Sequence, residues 1–155
     1  MHWTTYMAAL AVPSIAVLGA VIAFLQSRIA RNKLKLDLFD RRFAVYDKTV
    51  LYYQAYHSSG SDPDAVSIAA GEFIRAYRES RFLFGPDSEV YKAMTKVKDT
   101  LSFLVGYEEK FRSQPYDESE HKAWSELKAE KPDLSMLMGA LENALVPWLD
   151  FRGVK

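Results

Sequence analysis

Glu118 and His121 are the two side chains whose types and spacing best fit a metal site in this sequence. An E-x-x-H spacing places a carboxylate and an imidazole on one face of a helix, as in di-iron carboxylate bundles. Such a site needs the motif twice, and neither His2 nor His57 follows a glutamate at that spacing. The pair therefore predicts the solvated start of a helix, and we expect no metal site.

Two charged groups contain side chains that could bind a phosphate or serve as acid and base. One is a mixed run on a single helix: Asp37, Asp40, Arg41, Arg42, Asp47 and Lys48. The other is a set of arginines: Arg75, Arg78 and Arg81. Helical spacing mixes opposite charges in the run and places Glu72 and Glu79 at partner positions for the arginines. Both groups therefore favour a solvated helix face over a ligand site.

A third candidate is an aromatic group that could line a ligand pocket between helices: Tyr46, Tyr52, Tyr53 and Tyr56. Core packing with the hydroxyls reaching water is the commoner arrangement for tyrosine. The sequence has no nucleophile elbow, phosphate loop or glycine-rich fingerprint. It also has no cysteine, which excludes disulfides, thiol catalysis and cysteine-ligated metals. We predict no catalytic residue, no cofactor and no small-molecule substrate, and hence a protein that is not an enzyme.

The N-terminal segment of the chain indicates that the protein is attached to a membrane. Residues 1–27 contain no Asp, Glu, Lys or Arg, and four positive charges then follow closely: Arg28, Arg31, Lys33 and Lys35. A bilayer core needs about 20 apolar helical residues, which the stretch from Tyr6 to Leu25 supplies. A cleaved signal peptide is the alternative, but it carries its basic residues before the apolar stretch. We predict a retained transmembrane anchor over residues 1–27.

The basic cluster, defined as Arg28, Arg31, Lys33 and Lys35, also predicts the orientation. By the positive-inside rule it stays cytoplasmic, so the N-terminus faces outward and residues 28–155 face inward across a bacterial inner membrane. Such a cluster also attracts anionic membrane lipid.

The anchor carries a stripe of small side chains that includes Ala9, Ala16, Ala20 and Ala23. Small residues let membrane helices approach closely, because association in lipid depends on van der Waals packing. The stripe favours a homo-oligomer or a membrane-protein partner. Alanine is also common in membrane helices without such a role, and both interpretations remain open here.

The pattern after the anchor predicts an all-α domain. No Gly or Pro interrupts residues 21–58, and apolar residues recur at three-four spacing from Leu25 to Tyr53. One helix is therefore expected to continue from the anchor to about residue 57. Further helices are expected to start at Asp62–Pro63 and near Asp87, followed by two pieces at 117–131 and 134–145. These elements predict a cytoplasmic up-down four-helix bundle.

Composition restricts the partners of this domain. The chain has 20 acidic and 20 basic residues, so removing the basic cluster leaves 16 basic residues against 20 acidic ones. A mildly acidic body argues against a nucleic-acid partner.

Three segments of the chain carry a family resemblance. They are KLKLDLFDRRFAVYD (33–47), RFLFGP (81–86) and VPWLDF (146–151). Together they resemble uncharacterised small bacterial single-pass membrane proteins with a helical cytoplasmic domain. The resemblance implies an inner-membrane location and brings no activity or site residue.

The sequence thus predicts a membrane-anchored helical bundle that acts as a scaffold, sensor or tether through protein–protein contacts. The alternative is a membrane effector or toxin-like protein that perturbs the bilayer when its anchor oligomerises.

Overall fold

The structure is a computed structural model that describes the backbone of residues 3–58, 62–113 and 117–150, and the side chains of these residues except 3–14 and 113. Across these ranges the chain forms helices and no strand, which confirms the all-α prediction. The helices are α1 (Trp3–His57), α2 (Pro63–Phe84), α3 (Glu89–Ser113), α4 (Glu118–Ala129) and α5 (Leu134–Leu149). The predicted uninterrupted first helix and the predicted break in the fourth are both confirmed.

Local signals set the bounds of α2. The Asp62 side chain accepts a hydrogen bond of 3.0 Å from the backbone N–H of Asp64, and Pro63 occupies the first helical position. Both features stabilise a helix N-terminus, where the first backbone donors lack intrahelical acceptors. At the other end Gly85 has φ 91°, a left-handed conformation that costs glycine little. The start of α2 was predicted from Asp62 and Pro63.

Contacts divide the chain into residues 1–40 and residues 41–155. In the first unit the side chains from Ile15 to Leu38 are all exposed. This division concerns packing within one chain, so the membrane boundary at Ser27 stays a prediction.

The second unit is the helical bundle. Its core comes from the part of α1 beyond Arg41 and from α2, α3 and α5: Val45, Tyr52, Phe73, Ala76, Phe84, Val90, Met94, Val97, Leu101, Leu104, Leu134, Leu137, Met138, Leu141 and Leu145. Arg42, early in this part of α1, contacts Phe84 and Trp148 near the ends of α2 and α5. Tyr56, late in α1, bonds Glu108 late in α3. These contacts give the predicted up-down-up-down order, with α1 and α3 running one way and α2 and α5 the other.

The core-facing side of α1 consists of Val45, Thr49 and Tyr52. The apolar series that predicts the helix in the sequence runs beside this side of α1: Tyr46, Val50 and Tyr53 are half-buried and pack against the core, whereas Phe43 is exposed. Each fully buried side chain of α1 therefore precedes a half-buried member of the predicted series by one position.

Helix α4 differs from the other helices of the bundle because it contributes no buried residue. It lies against α3 through aromatic and lysine side chains. We infer that α4 is held by surface contacts and by its N-cap.

Candidate functional site: an exposed apolar helix with a basic edge

The N-terminal part of α1 exposes a continuous apolar surface. At least half of each large apolar side chain in the described part of the anchor is exposed: Ile15, Val17, Leu18, Val21, Ile22, Phe24 and Leu25. Among the described residues, α1 is the one helix long and apolar enough to cross a membrane, and none of its most apolar window is buried in protein. A core helix of a soluble domain would bury such a window, so burial in protein does not account for these residues.

The basic cluster follows on the next two turns of the same helix. Arg28, Arg31, Lys33 and Lys35 are exposed, and none of the ion pairs among the described residues involves them. Their charges can therefore interact with lipid phosphates without first breaking an internal pair.

The small-residue stripe lies on the same exposed part of α1. Ala16, Ala20 and Ala23 are exposed, whereas the side chain of Ala9 lies outside the described residues. Close approach of a second helix along this stripe is sterically open, and helix association there stays a prediction.

Side chains of the two charged groups make separate contacts within the bundle. The Arg42 guanidinium lies over the rings of Trp148 and Phe84 at 4.8 and 5.9 Å. Lys48 and Arg75 both approach Glu72, at 3.5 and 3.8 Å. Lys48 and Arg75 therefore behave as expected for a solvated helix face with internal ion pairs. Arg42 instead packs against two aromatic rings.

The four candidate tyrosines do not converge on one pocket. Tyr52 is buried, with its ring centre 5.3 Å from that of Phe73. Tyr46 and Tyr56 donate hydrogen bonds of 2.9 Å to Glu142 and Glu108. Their hydroxyls therefore bridge helices, which fits core packing better than a ligand pocket. Tyr46 also lines a groove of about 390 Å³ between α1 and α5, with Phe43, Val146 and Leu149 among the lining residues.

A tyrosine pair that the sequence did not reveal joins α2 to α3. The rings of Tyr77 and Tyr91 stack at 5.1 Å, and their hydroxyls share a hydrogen bond of 3.0 Å. Hydrogen bonds to Thr95 and Tyr91 lower the pKa of Tyr77. The hydrogen bond with Tyr77 raises the pKa of Tyr91. Lys98 lies 5.1 Å over the Tyr77 ring. The pair could not be predicted from the sequence, because a ring pair between helices leaves no spacing signal.

In the E-x-x-H pair, His121 lies at the contact of α4 with α3, whereas Glu118 is exposed. The His121 ring meets Phe111 edge-on at 5.0 Å, and its Nδ1 is 3.5 Å from the Ser125 hydroxyl. Within the part of the chain that the structure describes, no group of three His, Asp or Glu side chains could hold a metal ion. His121 therefore belongs to a packing cluster of aromatic rings.

Lysines complete this cluster. Lys110 lies 5.1 Å over Trp124, Lys128 lies 4.9 Å over Tyr107, and Lys131 lies 4.8 Å over Phe103. Each contact at an exposed site contributes about 0.5–1 kcal/mol. The attachment of α4 therefore rests on several weak contacts.

No protein-family model, curated protein or solved structure matches this chain. The resemblance of residues 33–47, 81–86 and 146–151 to small bacterial membrane proteins therefore stays a prediction. Function is inferred below from the exposed helix, the basic cluster and the bundle.

Proposed function

We propose that the chain is a single-pass protein of a bacterial inner membrane whose helical bundle acts at the cytoplasmic face as a scaffold, sensor or tether. The observation that carries this proposal is the apolar surface of residues 15–27, which is exposed on every side and followed at once by the basic cluster. Water would penalise so much exposed apolar surface, whereas lipid solvates it. The order of apolar stretch and positive charge favours a retained anchor over a cleaved signal.

The bundle is proposed to act through protein contacts and not by catalysis. Two of its tyrosines form hydrogen bonds between helices, Tyr46 with Glu142 and Tyr56 with Glu108, and Asp62, Asp117 and Asp133 cap helices. Catalysis by acid, base or nucleophile requires such groups to converge on one reacting position. The proposed partners are membrane lipid and another protein, either a second copy or a different membrane protein.

Membrane insertion is tested by placing charge in the exposed apolar segment. Leu18→Lys combined with Ile22→Lys adds two charges, each costing about 3 kcal/mol at the centre of a membrane helix. The apolar residues of the segment together contribute about 3–5 kcal/mol to insertion. The variant is therefore expected to leave the membrane pellet on alkaline extraction, whereas the unchanged protein stays in it.

A matched control separates insertion from general loss of apolar surface. Leu34→Lys combined with Leu38→Lys makes the same change at the same spacing, outside the proposed span. This control should remain in the pellet. Extraction of the unchanged protein, or equal behaviour of the two double variants, would contradict the anchor.

Orientation is tested with single cysteines, for which the chain provides a clean background because it has none. Thr5→Cys is expected to react with a membrane-impermeant maleimide in intact spheroplasts. Ser102→Cys, on the exposed side of α3, is expected to react only after lysis. The reverse pattern would overturn the proposed orientation.

The effector alternative gives a different result on induced expression. Tolerated expression without loss of membrane potential fits the scaffold or tether. Growth arrest with depolarisation would favour the effector. Affinity capture from native membranes, followed by mass spectrometry, then identifies the partner protein.

A further inference from the structure

A groove between α1 and α5 lies beside the point where the described chain ends. Its volume is about 390 Å³, and apolar and acidic side chains line it together with one tyrosine: Phe43, Tyr46, Glu142, Leu145, Val146, Leu149 and Asp150. We name this feature the α1–α5 groove. All of its residues belong to the bundle, so its occupant does not depend on the proposed membrane anchor.

The floor and one wall of the groove are apolar. Leu145 is buried, whereas Val146 is 60% exposed and Phe43 is 46% exposed. An apolar surface that lies in a concave site favours an occupant with apolar side chains of its own.

Two carboxylates give the groove a negative charge. Glu142 and Asp150 line it, and no lysine or arginine is among its lining residues. Glu142 accepts a hydrogen bond of 2.9 Å from the Tyr46 hydroxyl, and none of the ion pairs among the described residues involves it. Charge complementarity therefore favours an occupant with positive charge.

The residues that follow α5 have the composition that this groove fits. They supply two apolar and two cationic side chains around one glycine: Phe151, Arg152, Gly153, Val154 and Lys155. We name these residues segment 151–155. The segment follows directly on Asp150, which itself lines the groove, so it starts at the edge of the groove.

The length of the segment matches the length of the groove. Asp150 ends α5 in an extended conformation, with ψ 113°, so the chain leaves the helical path there. From Glu142 to Asp150 the helix rises about 12 Å at 1.5 Å per residue. Five extended residues reach about 17 Å, which is enough to turn back and cover this distance. A segment tethered so closely also has an effective concentration on the order of mM, which favours it over a second copy.

We propose that segment 151–155 docks in the α1–α5 groove of its own chain. Phe151 and Val154 cover the apolar wall, and Arg152 and Lys155 lie near the two carboxylates. Docking joins the residues after the last helix to the first helix of the bundle.

The test uses photo-crosslinking from position 151 of the full chain in native membranes. Phe151 is replaced by benzoylphenylalanine, an aromatic amino acid that reacts with neighbouring C–H bonds on illumination. Trypsin releases residues 43–48 as one peptide, because Arg42 precedes it and Lys48 ends it. Docking predicts that this peptide of α1 is joined to the one that carries position 151, in a product of monomer mass.

Benzoylphenylalanine at position 136 is the matched control. Met136 is 72% exposed on the same helix and does not line the groove. Illumination of this variant should not join residues 43–48 to α5.

Three results would overturn the proposal. Position 151 that forms no link to residues 43–48 would show that the segment is not in the groove. The same link in a product of dimer mass would assign the groove to a second copy. Lipid attached at position 151 in place of this link would place the segment at the membrane.

A charge change tests the acidic side of the groove. Arg152→Glu combined with Lys155→Glu should lower the crosslink yield by about twofold to tenfold, because both positions then repel the carboxylates of the groove. Arg78→Glu combined with Lys122→Glu makes the same change at exposed positions outside the groove and should leave the yield unchanged. Equal yields from the two double variants would overturn the proposed docking.

A second measurement needs no crosslinker. Val146→Cys is expected to react with a maleimide about threefold to tenfold faster when Phe151→Ala and Arg152→Glu are added, because the groove is then open. Met136→Cys, outside the groove, should react at the same rate with and without these changes. A rate at Val146→Cys that does not rise would overturn the proposal.

Discussion

The guanidinium carbon of Arg42 lies 4.8 Å from the centre of the Trp148 ring, which joins the first helix of the bundle to the last. Phe84, at the end of α2, meets the same Trp148 ring edge-on at 5.4 Å. The Arg42 Nε is buried and has no hydrogen-bond partner in the described part of the chain. The rings of Trp148 and Phe84 therefore place cation–π contacts on this half-buried arginine from two other helices.

This geometry predicts how the bundle responds to changes at Arg42. Arg42→Ala removes a cation–π contact and the packing of the aliphatic stem, and should lower the free energy of unfolding by about 1–2 kcal/mol. Arg42→Met keeps the stem and removes the unbonded donor, so less than half of that loss is expected. Urea unfolding of the full chain in detergent, followed by near-ultraviolet circular dichroism, measures both values. Arg78→Ala, at an exposed arginine, is the control, and a loss as large as that of Arg42→Ala would contradict the prediction.

Substitutions in the centre of the bundle should destabilise it much more than substitutions on its surface. Leu141 of α5 is fully buried, so Leu141→Ala leaves a cavity and should cost about 2–5 kcal/mol. Met136 on the same helix is 72% exposed, and Met136→Ala should change stability by less than about 0.5 kcal/mol. The same urea titration compares the two. Similar midpoints for these variants would mean that α5 does not pack as described.

The helices and most of their buried faces could be predicted because their signals are local. Asp62–Pro63 and Gly85–Pro86 delimit α2, and the buried face of α3 follows from its three-four apolar spacing. On α1 the half-buried Tyr46, Val50 and Tyr53 belong to the predicted apolar series, whereas the buried Thr49 could not be predicted in this way. Threonine is mostly found at protein surfaces. The hydroxyl of Thr49, however, donates a 2.7 Å hydrogen bond to the carbonyl of Val45, so its polar group is satisfied within the helix.

The contacts between helices were harder to predict from the sequence for a different reason. Arg42 with Trp148 and Tyr77 with Tyr91 are pairs on different helices, and no periodicity within one helix encodes them. Ser80, which is buried, was missed because its hydroxyl also bonds within the helix, to the Tyr77 carbonyl at 2.7 Å. The exposed apolar segment and the basic cluster were visible at once because both are contiguous in the sequence.

Helix α4 is expected to be the part of the bundle most sensitive to acid. A hydrogen bond from the Ser119 hydroxyl, together with backbone N–H groups of Glu120 and Ser119, holds the pKa of Asp117 below its usual value. A carboxyl whose pKa is lower in the folded state stabilises fully above its unfolded pKa of about 3.9, and this contribution is lost as pH falls through the folded pKa. Because α4 buries no residue, loss of its N-cap is not offset by a core.

Asp117→Asn tests this dependence because asparagine caps a helix about as well as aspartate and does not titrate. Far-ultraviolet circular dichroism from about pH 5 to pH 2 should show a larger loss of helix in the unchanged protein than in the variant. Asp133→Asn is the comparison, since its pKa is also lowered, by Ser135, but α5 is held by buried leucines. An acid transition unaffected by Asp117→Asn would contradict the role of the cap.

The basic cluster should determine the orientation of the chain without determining whether it inserts. Insertion depends on the apolar segment, whereas orientation follows the lysines and arginines close to the membrane helix. Replacing Arg28, Arg31, Lys33 and Lys35 together by glutamine should therefore leave the protein in the membrane pellet with mixed orientation. Maleimide labelling of Ser102→Cys in intact spheroplasts measures the fraction that is reversed. The matched control replaces four exposed acidic residues in or next to α4 by glutamine: Glu118, Glu120, Glu126 and Glu130. It should leave the orientation unchanged, because acidic residues contribute little to it. Unchanged labelling in the basic-cluster variant would mean that another feature of the chain sets the orientation.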